Sequence, residues 1–267
     1  MEAVAVEGIP EVGPGDDLPA LLSANADLRD GDVLCVASTV VSKAAGRLAP
    51  LSSFAPGPRA RAIANRLAGI SGERKDPRFA QAVLDESAAL VMEAPFLLAE
   101  THFGHIAVNA GIDRSNVGRP DGDARDPEAE HVLLLPRRPD EHAQAIREAV
   151  ATDVRVVVTD TCGRPFRHGQ TGVAIGWDGL PASRDWRGTT DRDGYELGVT
   201  VEAVVDELAA TANLVMGEGD GGTPAVVVRD WSFGNLGGSD QLFRDVGTDF
   251  VRQALRGWSY DGGASGP

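Results

Sequence analysis

The chain has 267 residues, 42% of them hydrophobic, with 40 acidic against 25 basic side chains and a formal net charge of −15. That length and apolar share support a large core, built as one elaborate domain or as two closely packed ones. The acidic balance argues against nucleic-acid partners, which need a cationic face, and against anionic membrane surfaces. No apolar run is long enough to span a bilayer. Residues 1–7 lack the basic start and apolar centre of a secretory signal, so a cytoplasmic protein is expected. Lys43 and Lys75 are the only lysines. Many acids with almost no lysine imply a salt-adapted protein whose self-repulsion is screened.

Gly15-Asp16-Asp17 reads as a turn and cap before a helix opening at Leu18-Pro19. Gly31-Asp32 turns into the strand Val33-Leu34-Cys35-Val36-Ala37, which is expected to run on into Ser38-Thr39-Val40-Val41-Ser42-Lys43. Residues 56–67 and 77–88 read as helices, the second with Phe79, Val83 and Leu84 on one face. Phe96-Leu97-Leu98 and Ile106-Ala107-Val108 read as short strands of a hairpin around Phe103-Gly104. The acidic stretch 118–130 reads as a mobile loop, and Val132-Leu133-Leu134-Leu135 as a strand. A helix is expected over 139–151, then a buried strand at Val156-Val157-Val158 and another at Ala174-Ile175-Gly176-Trp177. Residues 201–216 show the clearest helical period, with Thr200 as cap and Gly217 as stop. Residues 225–228 are a last buried strand. Strands and helices mix without βαβ alternation, so the fold class is α+β, in a single unit over 1–260 or two packed subdomains, with a flexible tail over 261–267.

Chemistry concentrates where elements end. Val156-Val157-Val158-Thr159-Asp160-Thr161 turns from apolar to polar, so the strand is expected to end at Asp160 and Thr161, with Gly163 and Pro165 breaking regular structure after it. Asp160 and Thr161 there supply oxygens beside Arg164, Arg167 and His168, a combination suited to a metal ion holding a phosphorylated ligand. Ordinary turn chemistry explains the same residues almost as well. Lys43, flanked by hydroxyls, suits a phosphate or a solvated turn. Asp113 and Asn116 fall in a polar segment just past a strand. Residues 216–223, glycine-rich with Glu218 and Asp220, suit a close approach to phosphates or a plain helix stop. No Gly-Lys-Ser/Thr phosphate loop or dinucleotide fingerprint is present. His102 and His105 read as solvated, and Cys35 and Cys162 as buried structural thiols.

Gly8-Ile9-Pro10, Ser42-Lys43, Asn109-Ala110-Gly111-Ile112-Asp113-Arg114-Ser115-Asn116, Thr159-Asp160-Thr161-Cys162-Gly163-Arg164-Pro165, Met216-Gly217-Glu218 and Pro224-Ala225-Val226-Val227-Val228-Arg229 stand in this order along nearly the whole chain. Together they resemble the coenzyme F420:L-glutamate ligase family, and the composition resembles its haloarchaeal members. The resemblance implies a GTP-dependent ligase that adds L-glutamate to coenzyme F420-0, a deazaflavin phospholactate, through an acyl phosphate, with release of GDP and phosphate. A second, γ-linked addition usually follows. It further implies an α+β fold of mixed sheets with helices, an intertwined homodimer, two Mg2+ or Mn2+ sites and K+. By the same resemblance, Ile9, Pro10, Glu11, Val12, Ser38, Thr39, Lys43 and Asn116 contact GTP, with Met216, Gly217, Glu218, Gly219, Asp220, Gly221, Gly222 and Thr223. Asp113, Asp160, Thr161 and Glu218 hold metal, and Lys43 and Asp160 act at the transferring phosphoryl group.

The chain departs from relatives at Ala45, where Glu is frequent, at Asp230, where Gly is common, and in its longer acidic loop. Some relatives carry an added nitroreductase-like domain; the length here implies the ligase alone. A metal-dependent nucleotide phosphohydrolase, or a nucleotide- or deazaflavin-binding protein without catalysis, would use the same segments.

Overall fold

A computed structural model describes residues 1–73, 75–115, 117 and 130–260. Asn116, the acidic stretch 118–129 and the tail 261–267 lie outside the described residues.

The chain opens with strand β1 (Glu2–Ala5), helix α1 (Leu18–Asn25), strand β2 (Val33–Ala37) and helix α2 (Ser38–Ala44). Next come β3 (Leu48–Pro50), α3 (Pro58–Ser71), α4 (Pro77–Asp85), β4 (Ser87–Met92), β5 (Leu98–Thr101), β6 (Ile106–Val108) and β7 (His131–Leu133). Then follow α5 (Pro139–Ala149), β8 (Arg155–Arg164), β9 (Arg167–Asp178), β10 (Ser183–Asp185), β11 (Val201–Glu202), α6 (Val204–Met216), β12 (Ala225–Arg229), β13 (Gly238–Ser239) and α7 (Phe250–Arg256). The architecture is mixed α and β with several sheets. Among the described residues no helix is long and apolar enough to cross a membrane.

Two compact units share the chain: residues 1–46 with 138–242, and residues 47–137 with 243–267. The first is built on a five-stranded sheet in the order β1-β12-β2-β8-β9. β2, β12 and the first half of β8 (residues 156–159) are dominated by Val and almost wholly buried, as expected of strands covered on both faces, whereas β8 becomes polar and then exposed toward Arg164. β2 and β8 run parallel, and their other neighbours antiparallel. Val204, Val205, Leu208, Ala209 and Ala212 of α6 pack on Val33, Cys35, Val157, Val226 and Val228. Burial pushes the Cys35 thiol up to about 12, which leaves it inert.

Helices reach β9 at two glycines. A Cβ on Gly172 would lie 2.4 Å from the Ala209 carbonyl oxygen of α6, and one on Gly176 would lie 2.3 Å from the Pro139 carbonyl carbon of α5. Backbone cannot yield as a flexible side chain can, so Gly172→Ala is expected to destabilise by about 1–3 kcal/mol. Urea unfolding checks this, since an unchanged midpoint would mean that α6 does not sit this close.

The second unit pairs β3 with β7 and arranges β4-β5-β6 as an antiparallel sheet. Its core holds Leu51, Ile63, Leu67, Val83, Leu97, Ile112 and Val132. The expected hairpin is there: Leu98 pairs with Val108 and Glu100 with Ile106, although Phe96 and Leu97 stand outside the strand.

Several expectations are corrected. The helix expected over 77–88 ends at Asp85, because β4 starts at Ser87 and pairs with β5; cross-strand packing overrides the helical preference of the alanines. Ser38–Ala44 is a helix rather than continued strand: Val40 and Val41 are buried on it, and that burial outweighs their β-branched preference. Helix α6 starts at Val204 rather than near Thr200, because Val201–Glu202 pairs with β10. His105 is buried rather than solvated. It stacks on Phe103 beside Phe243, and burial lowers its imidazole to about 4.

Candidate functional site

One end of the five-stranded sheet collects four of the segments singled out above. β1 runs antiparallel to β12, and Val6 N donates to Ala225 O at 2.9 Å, so the chain leaves this end into residues 7–12. The loop 217–223 arrives at the same end to start β12. There Ala37 N donates to Pro224 O at 2.8 Å, and α2 begins immediately at Ser38. Ala37 pairs with Thr159 in the parallel ladder, so Asp160 and Thr161 extend just beyond the end of β2.

Side chains tie these segments together. Ser38 Oγ donates to Asp160 Oδ1 at 3.1 Å, across 122 residues of sequence. Lys43 Nζ donates to Glu11 Oε1 at 2.6 Å, joining the first segment to the last turn of α2. The lysine is mostly covered while Glu11 is largely open to solvent. Thr159 Oγ1 lies 4.0 Å from Met216 Sδ, which sets the end of α6 beside β8. Asn213 Nδ2 donates to Glu218 Oε1 at 3.0 Å. Val12 is buried, Ile9 is half-buried and Pro10 exposed; Thr39 is half-buried. Gly217, Glu218, Gly219, Asp220, Gly221 and Gly222 are exposed, and Thr223 is half-buried.

The strand does not end at Asp160 and Thr161 as expected, and Gly163 does not break it. β8 continues to Arg164, because β9 supplies its backbone partners beyond the reach of β2: Asp160 pairs with Val173, Gly163 with Gln170 and Arg164 with Arg167. Pro165 and Phe166 only turn the chain.

Asp113 belongs to the second unit. Its backbone bridges Leu133, and its Oδ1 accepts from both Ser115 N and Ser115 Oγ at 2.7 Å. Two residues in the left-handed region precede it: Asn109 and Ala110 both have positive φ. Asn116 lies outside the described residues.

Sequence reasoning missed Asp206. It sits in the first turn of α6, where its Oδ1 accepts from Ala174 N at 2.9 Å, and burial pushes its carboxyl up. Burial also raises the half-buried Cys162 thiol, with Asp160 and Asp206 as charged neighbours. An acid between Val205 and Leu208 on an otherwise apolar face was the available signal. The second unit has a shallow surface pocket against Glu86, Thr101, Ala110 and Arg137, which none of the predicted residues lines.

Asp160, Thr161 and Glu218 offer carboxylate and hydroxyl oxygens, with no thiolate or imidazole among them. That donor chemistry fits a hard divalent cation such as Mg2+ or Mn2+, which takes one or two protein carboxylates and completes its shell with phosphate and water. Among the described residues, no three His, Cys, Asp or Glu side chains converge as a ready-made metal site.

The chain is a ligase by its relatives. A family model described as F420-0:Gamma-glutamyl ligase matches residues 8–230. The coenzyme F420:L-glutamate ligase of Halobacterium salinarum is 66% identical over 262 residues, covering 98% of this chain and 100% of the relative. That of Halorubrum lacusprofundi is also 66% identical, over 261 residues with the same coverage, and that of Archaeoglobus fulgidus is 45% identical over 260 residues, covering 96% and 98%. The chain belongs to the F420-0:gamma-glutamyl ligase family, as a haloarchaeal member.

Proposed function

We propose that this protein joins L-glutamate to coenzyme F420-0 in coenzyme F420 biosynthesis, at the expense of GTP. The observation that carries the reading is the convergence of residues 7–12, α2, Asp160-Thr161 and loop 217–223 at one sheet end, in a chain of this family.

A free carboxylate acylates amines poorly because oxide is a poor leaving group, so activation must come first. The lactyl carboxylate attacks the γ-phosphorus of GTP; an O–P bond forms, the β–γ bridge breaks, and GDP departs from an acyl phosphate. The amine of glutamate then attacks the acyl carbon, a C–N bond forms, phosphate leaves, and the amine proton passes to solvent. The protein's work in the first step is positioning and charge neutralisation. Ser38, Thr39, Ile9 to Val12 and residues 216–223 line the nucleotide in this reading. The Lys43 ammonium, set in place by Glu11, lies against the phosphates as a point charge. Asp160, Thr161 and Glu218 would hold one or two divalent cations. A divalent cation there supplies charge neutralisation to the phosphate oxygens. K+ as an added cation, an intertwined homodimer and a second γ-linked glutamate belong to the same proposal, as does a cytoplasmic location.

The direct test is mass spectrometry of the deazaflavin after incubation with GTP, Mn2+ and glutamate. A gain of one or two glutamyl residues is expected. Phosphate release from GTP without glutamate would make the protein a phosphohydrolase, and binding without either product would make it a carrier. Lys43→Ala is expected to raise the KM for GTP about tenfold or more, the scale of a lost charge-assisted phosphate contact. Unchanged GTP affinity by calorimetry would remove Lys43 from the nucleotide site.

The charge of −15 is read as salt adaptation. Screening weakens self-repulsion, so the thermal midpoint should climb from low to multimolar KCl. A flat or falling midpoint over that range contradicts this reading.

A further inference from the structure

The β8–β9 hairpin carries a charge opposite to that of the molecule. From Thr161 to Thr171 there is no acidic residue, while Arg164, Arg167 and His168 supply positive charge or the capacity for it in a chain of net −15. Residues 163–170 are all exposed. The arginines of the described chain are mostly in ion pairs or bonded to carbonyls, as Arg47, Arg147, Arg184, Arg229 and Arg252 are. Arg164 and Arg167 make no such bond among the described residues, although they stand directly opposite one another in the ladder. Two guanidinium groups facing each other at a strand end, with no carboxylate between them, repel one another and gain from an anion that bridges them. Phe166, at the turn, is fully exposed with φ 65, which holds its ring out from the sheet.

This hairpin end is rooted in the candidate site. Asp160 and Arg164 lie on the same strand, whose pairing shifts register between Gly163 and Arg164, and four residues at strand rise span at most roughly 13 Å. An acceptor whose reacting carboxylate meets the phosphoryl group near Asp160 would therefore run along β8 toward the arginines.

We propose that the end of the β8–β9 hairpin holds the acceptor: Arg164 and Arg167 bind its phosphodiester, and the Phe166 ring stacks on its deazaflavin. This rests on the ligase reading above and extends it to the residues that select the acceptor. Guanidinium forks match phosphate oxygens in charge and geometry, and an aromatic face matches a flat heteroaromatic ring. A local cationic arm also answers a problem of the whole molecule, since the acceptor is an anion approaching a strongly acidic protein.

Direct titration of the deazaflavin acceptor by calorimetry, without GTP, tests the contact apart from the chemistry. For Arg164→Ala/Arg167→Ala the Kd should rise at least about tenfold, with a shallower dependence on salt, while GTP affinity stays unchanged. Phe166→Ala should weaken acceptor binding, and Phe166→Trp should preserve it. In turnover the double variant should raise the KM for acceptor with kcat within about twofold of the parent. Acceptor affinity equal to wild type in the double variant overturns the proposal. So does a change of sedimenting mass with acceptor affinity intact, which would make the hairpin a contact between copies. Wild-type protein that binds the acceptor through these arginines but forms no glutamyl product would instead overturn the ligase reading alone.

Discussion

Asp160→Asn is expected to lower turnover by at least about 30-fold, equivalent to about 2 kcal/mol of transition-state stabilisation, with little change in stability. The substitution is chosen because Asn keeps the oxygen that accepts from Ser38 Oγ, so the tie between β8 and α2 survives. Its strand pairing with Val173 uses backbone atoms and is untouched. What is lost is one negative charge at the sheet end where Lys43 and the loop 217–223 also gather. In the proposed reaction that charge holds a divalent cation against the phosphates, so its removal weakens an interaction that grows as the phosphoryl group transfers. The measurement is kcat at saturating GTP and Mn2+, alongside a thermal melt. Near-parental turnover would remove Asp160 from the reaction. A collapse of the melt would show that the carboxylate serves the fold instead.

The site was legible in sequence to the extent that it sits where elements end. β2, β12 and the opening of β8 announce themselves as Val-rich runs, and the polar residues directly after β2 and within β8 stood out against them. What could not be read was which ends meet. Ser38 and Asp160 are 122 residues apart, and only the parallel register of β2 with β8 brings them together. The same limit concealed the extension of β8. Gly163 and Pro165 are breakers locally, but a long antiparallel partner supplies the missing hydrogen bonds and carries the strand to Arg164.

The division into two units left no mark in composition, because the first is interrupted between Gly46 and Arg138 and then resumed. Short elements such as β10, β11 and β13 have two or three residues each and too little period to detect. His105 packs beside Phe243, far along the chain, a neighbour that local spacing does not reveal. The unusual Asp230 now has a backbone setting. It holds φ 54, the left-handed region that glycine enters without cost and that Asp tolerates better than most residues.

Arg229→Met should destabilise the protein by about 3–5 kcal/mol, because it strands a buried charge. Asp32 is 2% exposed at the start of β2, and Arg229 reaches it from the end of β12 with Nη2 at 2.8 Å and Nε at 3.1 and 3.2 Å. The Arg229 guanidinium also donates to Asp27 O, so a single side chain ties the turn before β2 to the neighbouring strand. Burial by itself would raise the Asp32 carboxyl. Hydrogen bonds from the Arg229 guanidinium and the Arg29 backbone N–H outweigh it, and the group is held below the usual carboxylate range. A depressed carboxyl contributes stability that is present above its unfolded value near 4 and is lost as pH falls through the lower folded value. In the variant the arginine's opposition is gone and burial pushes the same carboxyl up. The variant should therefore recover part of its deficit by protonating Asp32, and the gap to the parent should be widest near neutral pH and narrow toward pH 4. Urea unfolding of both proteins at pH 7 and pH 4 measures the gap. A deficit independent of pH would mean that the methionine fails through packing and that the Asp32 charge is not what Arg229 is there to meet.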